Sequence, residues 1–204
     1  MRNAGAKRTA VVLRPLGNLF LPALFLGLVV CAHAGPLPRN NSALKTYLRK
    51  TFAHHNHGFR NRYVARVWLD VMSRRLRPYL PNRAERLHLL VAIHEAARQA
   101  HVSPELVMAV INVESGFHRF AVSPVGAQGL MQIMPFWLRE IGRPHDNLFD
   151  IRTNLRIGCS ILHYYLARAG GDYALALERY NGRTNSIRYA HLVLERLSSR
   201  WYWH

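Results

Sequence analysis

One carboxylate in this sequence sits where carboxylates are costly. The run Leu106-Val107-Met108-Ala109-Val110-Ile111 is apolar on nearly every side of a helix, so the segment ending at Glu114-Ser115-Gly116 is predicted to be buried. A bare carboxylate at the end of such a helix is strongly unfavourable unless it faces a cleft. Partial burial and the negative end of the helix dipole both disfavour its ionised form and raise its pKa. A carboxylic acid kept protonated near neutral pH can give its proton to a leaving oxygen, such as that of a glycosidic bond. The position equally suits a helix-end glutamate paired with a nearby arginine.

Glycoside chemistry usually takes two carboxylates, one as acid and one as base or nucleophile. The 25 residues from Ser115 to Arg139 contain neither Asp nor Glu. That stretch supplies no second group, so a one-carboxylate reaction must find its nucleophile in the substrate. Asp146 and Asp150 are the acids a water-using alternative would recruit.

Other reactive side chains carry less. His54-His55-Asn56-His57-Gly58 places three histidines together without a nearby carboxylate or cysteine and reads as a solvated basic loop. His94 falls on the apolar face of its helix and reads as a hydrogen-bonded core histidine. Cys159 shares a helical stripe with Leu155, Leu162 and Leu166, and reads as buried packing. No metal site and no organic cofactor is expected.

The elements that must position Glu114 are mostly helical. Val64, Val67, Trp68, Val71 and Leu76 follow a helix period that stops at Pro78 and Pro81. Asn82 can cap the next helix, which is expected to turn Leu87, Leu90, Val91, His94 and Ala97 to the core. Ser103-Pro104-Glu105 is a helix start, with a serine cap, proline in the first turn and an acid beside the dipole. Residues 117–130 change to turn chemistry, with room for short strands at most, and a helix is expected to resume at Leu130 or Met131. Further helices are predicted over Asn154 to Ala169, Asp172 to Asn181 and Ser186 to Leu197. The fold class is mainly α, a helical domain with a small β or irregular element.

The 204 residues suit one domain plus flanking segments. Basic residues at 2, 7, 8 and 14, the apolar run Leu19 to Val30 and then Ala32-His33-Ala34 read as a Sec-type signal peptide over 1–34, with an uncleaved anchor as the alternative. Val30 stands where a lipoprotein signal needs a small residue before Cys31, which disfavours lipidation. Residues 35–43 read as a linker, 44–82 as an N-terminal helical extension and 83–204 as the main domain. The formal charge of +17 calls for a polyanionic neighbour. The basic residues are spread along the whole chain, which argues against a dedicated nucleic-acid motif and for peripheral contact with an anionic envelope surface. Periplasm or cell envelope is therefore the expected location.

Glu114-Ser115-Gly116-Phe117, then Ala121 to Pro135 with Gly126-Ala127-Gln128-Gly129-Leu130-Met131-Gln132, then Asn154-Leu155-Arg156-Ile157-Gly158 and finally Tyr180-Asn181-Gly182 form a series. In order and spacing it resembles the soluble lytic transglycosylases, over about residues 85–195. The resemblance implies a lysozyme-like domain that cleaves the β-1,4 bond between N-acetylmuramic acid and N-acetylglucosamine in peptidoglycan strands and leaves 1,6-anhydromuramyl ends. It implies that Glu114 is the single acid/base. It places Ser115 and Ser123 near the sugar N-acetyl group, Gly126, Gln128 and Gly129 in the small β region, Met131 and Gln132 beside the scissile bond, and Tyr180 and Asn181 across the site. The family usually reads Ala-Tyr-Asn-Ala-Gly where this chain reads Arg179-Tyr180-Asn181-Gly182-Arg183, so Arg179 and Arg183 are expected to help hold an anionic polymer. A goose-type muramidase that hydrolyses the same bond, and a non-catalytic glycan- or nucleic-acid-binding module, are the competing readings.

Overall fold

A computed structural model describes residues 62–182 and 187–203, together with 42, 45, 46 and 49. The expected signal peptide, Cys31, the linker except Ser42, which is helical, the histidines at 54, 55 and 57, and Arg183 lie outside the described residues. Among the residues from 62 onward that are described, helices follow in order: α1 (Arg62–Leu76), α2 (Arg83–Gln99), α3 (Pro104–Glu114), α4 (Phe136–Glu140), α5 (Ile151–Arg168), α6 (Tyr173–Asn181) and α7 (Ile187–Arg196). A π-helical turn, Leu197–Trp201, continues α7. Among the described residues there is no helix long and apolar enough to cross a membrane.

Four of these helices, α2, α3, α5 and α6, start where a short polar side chain satisfies free backbone N–H groups. Asn82 accepts from Ala84 and Glu85, Ser103 from Leu106, Asp150 from Thr153 and Asp172 from Leu175. α2 turns a different face inward from the one expected. Leu89, Ile93 and Ala96 join Leu90 and Ala97 in the core, while Leu87, Val91 and His94 are half-buried. Arg86 explains the rotation. It is buried because its guanidinium donates to Ser73 Oγ at 3.1 Å and to the carbonyls of Leu80 and Pro81 at 2.7 and 2.6 Å, which fastens the α1–α2 corner.

α3 is enclosed, with every residue from Leu106 to Ile111 fully buried, and it packs on α2, α7 and the π-helical turn. α1 fixes its first turn from outside: Trp68 Nε1 donates to Glu105 Oε1 at 2.7 Å, and Ser103 Oγ donates to the other oxygen at 2.6 Å. His94 stacks edge-on against Trp68, and its burial lowers its pKa to about 4, so it stays neutral. Cys159 is buried and free, and burial pushes its thiol up, as its packing stripe predicts.

The turn region after α3 contains two isolated antiparallel bridges, Val122 with Gln128 and Gln128 with Ile133. Helix does not resume at Leu130. Gln132 adopts a left-handed φ of 49°, and Gln128 and Ile133 exchange both backbone hydrogen bonds at 2.9 Å, so the chain doubles back before α4. Asn154, on α5, holds this region. Its amide donates to the carbonyls of Gln128 and Leu148, each at 2.9 Å, and accepts from Met131 N at 2.8 Å. Gly129 has φ +78°, and a Cβ there would lie 2.3 Å from the Asn154 amide nitrogen, so both conformation and space require glycine. A Cβ on Gly158 would meet Met131 Sδ at 2.4 Å and Cβ at 2.8 Å.

Removing the three Asn154 bonds strands buried backbone groups, so Asn154→Ala is expected to cost ~2–4 kcal/mol. Gly158→Ala is expected to cost ~1–3 kcal/mol by overpacking. Urea denaturation of each variant checks this, and an unchanged midpoint would contradict the packing described.

Candidate active site

The last residue of α3 is Glu114, and α3 delivers it to the point where the chain leaves the core. Ser115 closes the helix, and Gly116 and Phe117 both take left-handed φ values, 56° and 69°, to reverse the chain. The Glu114 side chain is only 6% exposed. Its two oxygens differ. Oε1 accepts a 2.6 Å hydrogen bond from the Tyr189 hydroxyl on α7, while Oε2 is buried with no hydrogen-bond partner. Glu114 lines a small recess with Gln132, Ile133, Met134, Trp137, Ile161 and Tyr180.

Burial raises the Glu114 pKa from 4.5 to about 8, and the Tyr189 hydrogen bond works against that rise because it favours the carboxylate. The Tyr180 and Tyr189 phenols are pushed well up by their own burial and then by the Glu114 charge, so both remain neutral. Glu114 forms no ion pair with an arginine among the described residues. The helix-end salt bridge is therefore not the reason for this residue.

The other residues singled out in the sequence divide by where their polar atoms go. Gln132 and Tyr180 reach the recess. Gln132 Nε2 donates to the carbonyls of Ala121 and Gly129 at 3.2 and 3.0 Å, and Tyr180 donates to the Met131 carbonyl at 2.9 Å. Ser115 Oγ donates to the Leu130 carbonyl at 2.8 Å, joining the end of α3 to the turn region. Ser123 Oγ accepts from Ala127 N at 3.0 Å, and Gln128 contributes its backbone to the two bridges. Met131 is fully buried under Gly158, Asn181 is buried on α6, and Gly126 sits half-buried at the tip of the turn with φ +85°. Gly182 ends α6 with a left-handed φ of 72°, so the glycine that stands one place early terminates the helix itself. Arg179 is exposed and donates to the Arg168 carbonyl at 3.2 Å. Asp146 pairs with Arg143 and, at 3.9 Å, with Arg156, while Asp150 caps α5; neither lines the recess.

Tyr189, Trp137 and Ile161 are site residues that sequence reasoning missed. A signal for Tyr189 was present. It lies with Ala190 and Val193 on the buried face of α7, and a buried tyrosine hydroxyl needs a partner.

Between pH 4.5 and about 8 the folded state holds the Glu114 proton while the unfolded chain releases it. This group therefore lowers stability as pH rises through that window and has no further effect above it. Glu114→Gln, which keeps an oxygen for Tyr189, is expected to gain stability over wild type by up to a few kcal/mol at pH 8 and little at pH 4.5. Denaturation of both proteins across this range checks the sign, and a parallel pair of curves would contradict it.

The family description "Transglycosylase SLT domain" matches residues 91–192. The chain is similar to the transglycosylase of Enterobacteria phage PRD1, with 36% identity over 97 residues, covering 48% of this chain and 36% of the relative. It is 33% identical over 100 residues to the soluble lytic murein transglycosylase of Salmonella typhimurium, covering 45% and 15%. It is 31% identical over 112 residues to the membrane-bound lytic murein transglycosylase C of Mannheimia succiniciproducens, covering 50% and 29%. The chain thus spans well under half the length of these curated relatives. No solved structure gives a significant match. With Glu114, Gln132 and Tyr180 gathered at one recess inside the matched region, the chain belongs to the transglycosylase SLT domain family.

Proposed function

We propose that this protein is a peptidoglycan lytic transglycosylase, with Glu114 as its single acid and base. The observation that carries the reading is the asymmetry of the Glu114 carboxyl: one oxygen is held by Tyr189, and the other is buried at the recess without a partner. A proton on Oε2 is available to the glycosidic oxygen between N-acetylmuramic acid and N-acetylglucosamine. As that C–O bond breaks, the leaving sugar takes the proton and the muramyl N-acetyl group assists its departure. The muramyl 6-hydroxyl then attacks the anomeric carbon and gives its proton to the Glu114 carboxylate, which restores the acid. The product is a 1,6-anhydro ring, and no water is consumed.

Asp146 and Asp150 are engaged elsewhere, which supports a nucleophile from the substrate over a water-activating second carboxylate. Tyr189 orients the carboxyl and steadies its charged form between the two proton transfers. Gln132 and Tyr180, each fixed by backbone carbonyls, shape the wall that the reacting sugars would meet. Ser115, Ser123, Gly126, Gln128, Met131 and Asn181 form the surrounding subsite and its scaffold. The proposal includes a periplasmic or envelope location, supported by the signal-like residues 1–34 and by relatives whose names mark them as murein enzymes.

Digestion of purified sacculi followed by mass analysis of muropeptides is expected to yield anhydro ends from wild type and a loss of about 10²–10⁴-fold for Glu114→Gln. Reducing ends in place of anhydro ends would identify hydrolysis, and unchanged lysis by Glu114→Gln would remove Glu114 from the chemistry. Because the reaction starts from the protonated acid, kcat/KM is expected to fall tenfold per unit above pH about 8. Tyr189→Phe is expected to lower kcat and to move this limb to higher pH, since the lost hydrogen bond had favoured the ionised form. A limb that stays in place would separate Tyr189 from the acid.

A further inference from the structure

Two segments outside the matched residues 91–192 meet on the far side of α3 from the recess. Tyr79 follows α1, and Trp201 closes the π-helical turn near the end of the chain. The Tyr79 hydroxyl and the Trp201 indole N–H both donate to Asn112 Oδ1, each at 3.2 Å. Asn112 stands two residues before Glu114, so at about 100° per residue it projects from nearly the opposite side of the helix. The same two rings enclose Phe117, with centroids at 5.0 Å for Tyr79 and 5.3 Å for Trp201. Phe117 has φ +69°, a conformation that a bulky residue keeps only when its surroundings hold it.

The two segments are also fastened to each other. Arg75 on α1 donates to the Tyr202 carbonyl at 2.7 Å, and the Arg200 guanidinium lies 5.5 Å from the Tyr79 ring centroid. The contacts at Asn112 and Phe117 therefore bracket Glu114-Ser115-Gly116 from both sequence directions, through groups that do not line the recess. We propose that Tyr79 and Trp201 are positioning residues, which clamp the last turn of α3 through Asn112 and Phe117 and so hold Glu114 at the distance and angle that proton transfer requires. The kinetic part of this inference rests on the reading of Glu114 as the acid; the geometric part does not.

Such a clamp acts on the chemical step, since misplacing a catalytic group by a fraction of an ångström lowers turnover without weakening substrate binding. Tyr79→Phe removes one oxygen and leaves the ring, and Tyr79→Phe with Trp201→Phe removes both donors. Two readouts on full-length protein decide the matter. On sacculi or a soluble glycan strand, the double variant is expected to lose at least about tenfold in kcat with KM within about twofold of wild type, and Tyr79→Phe a smaller part of that loss. In native-state amide exchange, Ser115 N–H, which donates to the Ile111 carbonyl at 3.0 Å, is expected to exchange at least about tenfold faster, with amides in the middle of α5 unchanged.

A kcat equal to wild type per folded molecule, or exchange that accelerates equally in α3 and α5, would overturn the clamp and leave ordinary packing. Should the double variant not fold, Tyr79→Phe alone decides, with unchanged Ser115 exchange counting against the clamp. If wild type itself releases no anhydro ends, the functional reading fails, while the exchange result still decides the clamp.

Discussion

A carboxylic acid removed from water at the end of a buried helix is the constraint around which this domain is arranged. Were Glu114 ionised, its burial would be far more costly; protonated, it is tolerable, and burial itself provides the shift that keeps it protonated. Tyr189 limits that effect by binding one oxygen. The carboxyl is thus neutral enough to act as an acid and stabilised enough, once it has given up its proton, to survive as a base. A deeper site without the phenol would keep the acid but weaken the base, and an open site with a lysine or arginine partner would do the reverse.

The turn region that forms the other wall solves a different problem. It has backbone N–H and C=O groups to satisfy and no extended strands to satisfy them with. Side chains complete the set: Asn154 serves the Gln128 and Leu148 carbonyls and the Met131 N–H, Tyr180 serves the Met131 carbonyl, Ser115 that of Leu130, and Gln132 those of Ala121 and Gly129. Most polar residues of the motif thereby act on the backbone of the wall first. A substitution in this region of little regular structure therefore strands a buried backbone group.

Local chemistry was legible in the sequence, and long-range geometry largely was not. Asn82, Ser103, Asp150 and Asp172 start helices because a cap is a decision made within three residues. The enclosure of α3 followed from an apolar run with no polar face. The role of Tyr189 lies 75 residues from Glu114 and depends on how α7 crosses α3, which no local pattern encodes. The inward face of α2 was misplaced because Arg86 counts as a surface residue until the carbonyls of Leu80 and Pro81 are brought around it. Resumption of helix at Leu130 failed for a related reason. The stretch Leu130-Met131-Gln132 has good helix formers, but the pairing of Gln128 with Ile133 requires a reversal at Gln132, and tertiary hydrogen bonds outweigh propensities of a few tenths of a kcal/mol per residue.

The same contrast bears on the segments outside the matched region. A helix of 11 residues such as α3 has little stability of its own, and it ends on Ser115 before two left-handed residues, Gly116 and Phe117. Definition must come from what is packed against it: Tyr189 in front, the Ser115 bond to Leu130 beside it, and behind it the rings that reach Asn112 and Phe117. Trp68 performs the corresponding task at the first turn through Glu105. Residues flanking the matched region thus touch both ends of the helix that presents Glu114.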